Sequence, residues 1–182
     1  MSMAEGRPVR VMFHDEARFG RISDPRRCWA PFPCRPVVHA AIVQEFTYAY
    51  AAVSPSDGEL DSLILPEVGT AIMSLFLEEV SVRHADEFIV MIMDGAGWHT
   101  AKRLHVPDNM LILYLPPYSP ELNPVEYLWD DIREKDFSNR VFANMTALED
   151  RLMNSLAKME EDRKRVRSIT GWEWIINAIL NA

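Results

Sequence analysis

The stretch FIVMIMDGAGWHT, residues 88–100, decides how the rest of the chain is read. Phe88 to Met93 is an unbroken apolar run without alternation. That is the pattern of a short central strand buried on both faces. The run stops at Asp94, and Gly95-Ala96-Gly97 follow, small residues that let a ligand approach the backbone closely. Open α/β sheets collect ligands beyond the carboxyl ends of such strands. MLILYL (110–115) is a second run of the same kind.

Working outward, VRVMFH (9–14) is rich in β-branched and apolar residues and predicts a strand that ends at His14. Its alternation puts Val9, Val11 and Phe13 on one face and Asp15 one step beyond them on that face. His14 and Glu16 then point the other way. Residues 37–53 predict one long strand or two, the SPSDGE that follows predicts a turn, and Leu60–Leu65 predicts a further strand. Ile72, Leu75, Phe76 and Val80 recur at helical spacing within 68–82. LPPYSPELNP packs four prolines into residues 116–124 and predicts a stiff loop. Helices are expected from about Pro124 to Asp136, from about Ala147 to Arg167, and over Glu173–Leu180. This order predicts one domain over 1–182, α/β in class, with a mixed central sheet between layers of helices.

Composition bounds the reading. A chain of 182 residues that is 48% hydrophobic can bury a sizeable core, which excludes wholesale disorder. Apolar runs such as Phe88–Met93 stop far short of the ~20 residues that cross a bilayer, so no membrane partner is expected. The start MSMAEGRPVR lacks an apolar signal core, which predicts a cytoplasmic protein. Cys28 and Cys34 make no disulfide framework and read as reduced thiols, with a metal site shared with His39 as the weaker alternative. The net charge is −8, spread unevenly. Residues 1–36 hold seven arginines against four acids, and residues 37–101 one arginine against ten acids. A second basic run spans Arg163–Arg167. Bulk charge therefore argues against a chain that coats nucleic acid.

Three carboxylates stand at positions suited to chemistry. Asp15 and Asp94 follow strands. Glu126 follows Asn123 and Pro124 at a helix start, where a capping box with Asn123 is the competing explanation. Val125, Leu128, Trp129 and Ile132 form the expected buried stripe of that helix, and Asp130, one turn on from Glu126, is a reserve ligand. Hard divalent cations take oxygen ligands, and a metal pair about 3.5–4 Å apart serves phosphoryl transfer.

FHDEARFGR (13–21), MDGAGWHT (93–100) and LPPYSPELNPVEYLW (115–129) together resemble the catalytic domain of DDE superfamily transposases, in the bacterial insertion-sequence branch of the mariner-like group. The resemblance implies a ribonuclease-H-like fold and places the family's three acids on Asp15, Asp94 and Glu126. It implies two Mg²⁺ (or Mn²⁺) ions held by them. It also implies cleavage of DNA at transposon ends by water, then attack of the freed 3′-hydroxyl on target DNA. Gly95 stands where many relatives carry asparagine. His99 matches a frequent family histidine that either orients a phosphate or water, or packs with Trp98. Glu16 and Asp130 are further auxiliary candidates. Arg18, Arg21, Lys102 and Arg103 are candidate DNA contacts, with an ion pair to Glu16 or Asp24 as the plain alternative for Arg18. The family's N-terminal helix-turn-helix module has no counterpart ahead of Asp15, so it is expected on a separate chain or frame. A homodimer that brings two ends together is also expected, through the apolar segment Trp172–Leu180 if that segment is not core. The alternatives are another ribonuclease-H-like nuclease, of junction-resolvase or RNA–DNA-hybrid type, and a non-catalytic assembly module.

Overall fold

The computed structural model describes residues 6–22, 25–37 and 39–181. Five strands form one mixed sheet in the order β3-β2-β1-β4-β5. The strands are β1 (Val9–Ile22), β2 (Ile42–Ser54), β3 (Glu59–Leu65), β4 (Phe88–Met93) and β5 (Met110–Tyr114). β1 is antiparallel to β2 and parallel to β4, so it is the hinge between an antiparallel half and a parallel half. Helix α1 (Thr70–Arg83) covers one face of the sheet. Helices α2 (Val125–Ile132), α3 (Met145–Glu161), α4 (Arg163–Thr170) and α5 (Glu173–Leu180) lie on the other. The three-layer α/β arrangement expected from the element order is the one observed.

Two apolar cores follow from the alternation along β1. Phe13, Ala17 and Phe19 pack with Trp129, Leu128 and Leu152 under α2 and α3. Met12 packs with Tyr50, Phe76 and Met91 under α1. β4 is buried on both sides, as its unbroken apolar run requires.

The structure corrects several boundaries. β1 does not stop at His14 but runs to Ile22, because β2 supplies hydrogen-bond partners from Phe13 onward. Residues 37 and 39–41 are not strand, and β2 begins at Ile42. α2 gives way after Ile132 to a π-helical turn over Arg133–Phe137. The long C-terminal helix is two helices broken at Asp162, whose carboxylate accepts from Arg165 N–H at 3.0 Å and caps α4. Much of the 163–167 basic run is spent internally, with Arg163 on Glu59 and Arg165 on Asp131. The turn between β2 and β3 places Gly58 at φ +77, against the backbone carbonyl of Arg163, where a side chain has no room. Cys28 and Cys34 are free and exposed, and they do not group with His39 among the described residues. In the C-terminal segment Ile175 is buried, whereas Trp174 and Leu180 stay largely exposed. Among the described residues no helix is long and apolar enough to cross a membrane.

Candidate active site

The parallel ladder between β1 and β4 ends at the pair Phe13–Ile92. Two residues further on come Asp15 and Asp94. β1 continues beside β2 there, while β4 has ended, so a cleft opens between them. Asp15 is thus mid-strand, not past a strand end, yet it stands at the carboxyl end of the parallel half. The proline-rich segment after β5 closes the cleft from the far side. The resulting cavity of about 420 Å³ is lined by Asp15, Asp94 and Glu126 together with Gly95, Leu115–Pro120 and Asn123. A Cβ added at Gly95 or Gly97 would meet nothing within 4 Å, so this stretch is open to a ligand.

Asn123 fixes how Glu126 enters the cavity. It is buried, its Nδ2 donates to His14 O at 2.9 Å, and its Oδ1 accepts from Val125 N–H at 3.2 Å. The asparagine therefore ties the loop to β1 beside Asp15 and caps the first turn of α2. The reciprocal half of a capping box does not form, because Asn123 N–H donates to Pro120 O. Glu126 is left to face the cavity. The stripe Val125, Leu128, Trp129 and Ile132 is buried as expected.

Two of the three carboxylates have one oxygen held by a nitrogen donor. Trp129 Nε1–H donates to Asp15 Oδ2 at 2.9 Å. His99 Nδ1 and Ala96 N–H lie 2.7 and 3.0 Å from Asp94 Oδ1. The second oxygen of each stays available. Burial pushes the Asp15 carboxyl well above its ordinary range; Glu126, Glu16 and Asp94 push the same way, and only the Trp129 bond opposes them. Glu126 is also raised, first by burial, with Asp130 and Asp94 adding to it against Arg133. Asp15 and Glu126, both raised by burial and by carboxylates near them, mark a site short of positive charge.

The tightest grouping of metal-ligating side chains among the described residues is a different one: His14, Glu16 and His99, with ligand atoms all within 4.8 Å of one another. It lies on the opposite face of β1, as the alternation predicts, with the side chains of His14, Glu16 and His99 at 0%, 7% and 1% exposure. Glu16 Oε1 accepts from Trp98 Nε1–H at 2.9 Å and from His99 Nε2 at 2.8 Å. His14 Nδ1 lies 2.9 Å from Ala51 O, and its Nε2 lies 3.5 Å from Glu16 Oε2. Burial alone would raise the Glu16 carboxyl, but the two imidazoles outweigh it and hold the group well below its ordinary value. For His99, burial is outweighed by Glu16 and Asp94, and the ring is raised. This cluster is neutralised from within. Its outward connection is His99, which bridges Glu16 to Asp94.

The chain belongs to the DDE superfamily of endonucleases. The family model with that description matches residues 10–149. The DDE chain is 37% identical over 131 residues to the uncharacterized protein y4pE/y4sA of Sinorhizobium fredii, a match covering 71% of this chain and 96% of that protein. Among solved structures it resembles the Mos1 mariner paired end complex with Mn, with a TM-score of 0.62 at 15% identity, covering 88% of this chain and 53% of that one. A pre-cleavage Mos1 transpososome gives 0.61 at 13% identity, with 90% and 56% covered. The Mos1 paired end complex with Mg gives 0.59 at 16%, with the same coverage. This likeness is one of fold, which is ribonuclease-H-like. The DDE chain spans about half the length of the Mos1 chains it matches.

The remaining candidates scatter. Asp130 is exposed and outside the cavity lining. Arg18 is exposed and lies over the Phe46 ring at 4.5 Å; Glu16, its suggested partner, is taken by Trp98 and His99, and Asp24 is outside the described residues. Arg21 is committed to Glu45 and to the carbonyls of Phe142 and Ala143. Lys102 and Arg103 are exposed on the segment between β4 and β5. Sequence reasoning missed Trp129 as a donor to Asp15, and Arg133 as the cation acting on Glu126.

Proposed function

We propose that residues 1–182 act as one catalytic domain of a transposase, cutting DNA at transposon ends and joining the freed end to target DNA. The observation that carries the reading is the cavity shared by Asp15, Asp94 and Glu126, with Asp15 and Glu126 raised by burial and by neighbouring carboxylates. Such a donor set of hard, charged oxygens fits two Mg²⁺ or Mn²⁺ ions. Bound there, a metal pair supplies activation of the attacking oxygen and stabilisation of the leaving one. The chain's own part is orientation. Trp129 holds one oxygen of Asp15, and His99 with the Ala96 N–H holds one of Asp94, so each turns its other oxygen toward the cavity. Ends are recognised, in this reading, by a helix-turn-helix module on the same or a separate chain. Two copies of the catalytic domain pair two ends, in the cytoplasm and on nucleoid DNA.

The test is nicking of a transposon-end duplex in Mg²⁺ or Mn²⁺ by Asp94→Asn and Glu126→Gln. Each is expected to lose at least about 10³-fold, because the groups of such a site act as a unit. Calorimetric titration of Mn²⁺ accompanies it. Equal binding by wild type and Asp94→Asn, or nicking that survives either change, removes that residue from the site.

A further inference from the structure

We propose a second ligand site in this chain: an arginine-lined pocket that holds phosphodiester groups of a single DNA strand running toward the carboxylate cavity. The pocket, of about 350 Å³, lies where the end of β1, Phe46 of β2, the π-helical turn and residues 138–142 meet. Four of its lining residues are arginines, Arg18, Arg26, Arg133 and Arg140, and none is a carboxylate. The chain as a whole has 27 acidic residues against 19 lysines and arginines, so this lining runs against composition.

Arg26 is paired with Glu134 at 2.9 Å, but two of the four lining arginines are held differently from most in this molecule. Arg10, Arg21, Arg83, Arg151, Arg163 and Arg165 are all paired with carboxylates. Arg18 instead lies over the Phe46 ring at 4.5 Å, and Arg133 over the Phe19 ring at 5.4 Å, with no ion pair to a carboxylate among the described residues. A guanidinium stacked on a ring keeps its planar fork of N–H donors for an oxyanion such as phosphate. Cations interleaved with aromatic faces (Phe46, Phe142) are the pattern that binds single strands, where backbone phosphates and base faces are both presented. Arg133 follows Glu126 by seven residues on one continuous helical run, about 10 Å along its axis. That is about three steps of a strand at ~3.4 Å each.

The strand assignment rests on the DNA reading above, so its test reads binding alone, in EDTA, where nicking plays no part. A labelled thymidine oligonucleotide is titrated against the full chain over a range of salt. Arg18→Gln and Arg133→Gln are each expected to weaken binding several-fold and to lower the slope of log K against log salt by about 0.7. Arg133→Lys keeps that slope while still weakening binding, which separates lost charge from a misfolded pocket. Lys164→Gln, at an exposed lysine of α4 outside the pocket lining, leaves affinity and slope near wild type. Wild-type slopes in both glutamine variants overturn the pocket even if transposon ends are nicked. So does a wild-type chain that binds inorganic phosphate at these arginines but not the oligonucleotide.

Discussion

Asp15 and Glu16 are neighbours in sequence and opposites in circumstance. Both are largely buried, both sit mid-strand on β1, and alternation sends them to opposite faces of the sheet. Asp15 meets other carboxylates and one neutral indole donor, and its proton affinity rises. Glu16 meets two imidazoles and a second indole, and its proton affinity falls. Burial costs both, so the difference lies in what was placed around each. A carboxylate whose partners sit in the fold is structural. One whose neighbours repel it has the electrostatics suited to a cation ligand.

Exchanging the two carboxylates for amides should break that contrast most visibly in catalysis. Asp15→Asn is expected to lose at least about 10³-fold in metal-dependent nicking, as a member of the acidic site. Glu16→Gln should lose only about 10–100-fold, since it reaches the reaction through His99 and Asp94. Rates measured at saturating DNA and saturating Mn²⁺ check this. Equal losses would show that the two faces are not functionally distinct.

Stability should run in the opposite direction. Glu16→Gln leaves the buried, raised His99 without its counter-charge, and breaking a buried pair of this kind costs about 3 kcal/mol. Asp15→Asn removes a carboxylate from a repelling group and should leave the metal-free chain as stable as wild type or more so. Urea melts in EDTA decide it, and a destabilised Asp15→Asn would mean that Asp15 is braced by contacts other than Trp129.

The contrast was partly legible in the sequence. Alternation along β1 assigned Asp15 and Glu16 to different faces, and the unbroken run before Asp94 located the strand end. The stripe of α2 was legible too, because 3.6-residue periodicity is a local property. What was hidden depended on partners distant in sequence. β1 outlasts its apolar run because β2 pairs with it. The break at Asp162 was masked because Met159 and Val166, seven residues apart, keep the buried stripe in phase across it. Sequence alone offers Glu126 as a capping partner because the bond that displaces it, Asn123 N–H donating to Pro120 O, belongs to the conformation of the loop. Trp129 read as core and is core, yet its one polar atom is what holds Asp15.

That indole sharpens the contrast at a smaller scale. Trp129→Phe keeps most of the buried ring and removes the indole donor to Asp15 Oδ2. Mn²⁺ affinity should fall about 10-fold, the low end for an outer-shell partner, while DNA affinity stays unchanged. Calorimetry separates this from a packing defect, which would lower the melting temperature without moving the Mn²⁺ constant.

The smallest effect expected is also the most direct reading of the two carboxyls. Without metal, Asp15 binds its proton more tightly folded than unfolded, so the folded chain loses stability as pH rises from about 4 through the raised value. Glu16 is lowered, so its contribution is complete above the ordinary carboxylate range and drains away as pH falls below it. The two slopes oppose each other on either side of pH about 4. Asp15→Asn should remove the decline on the alkaline side and leave the acid limb, and Glu16→Gln should do the reverse. Saturating Mn²⁺ should also flatten the alkaline limb of the wild type, since a bound cation favours the ionised form of Asp15 in place of the proton. Stability curves in urea between pH 3 and 8, with and without Mn²⁺, test all three. A wild-type alkaline limb that Mn²⁺ leaves unchanged would mean that no ion binds against Asp15.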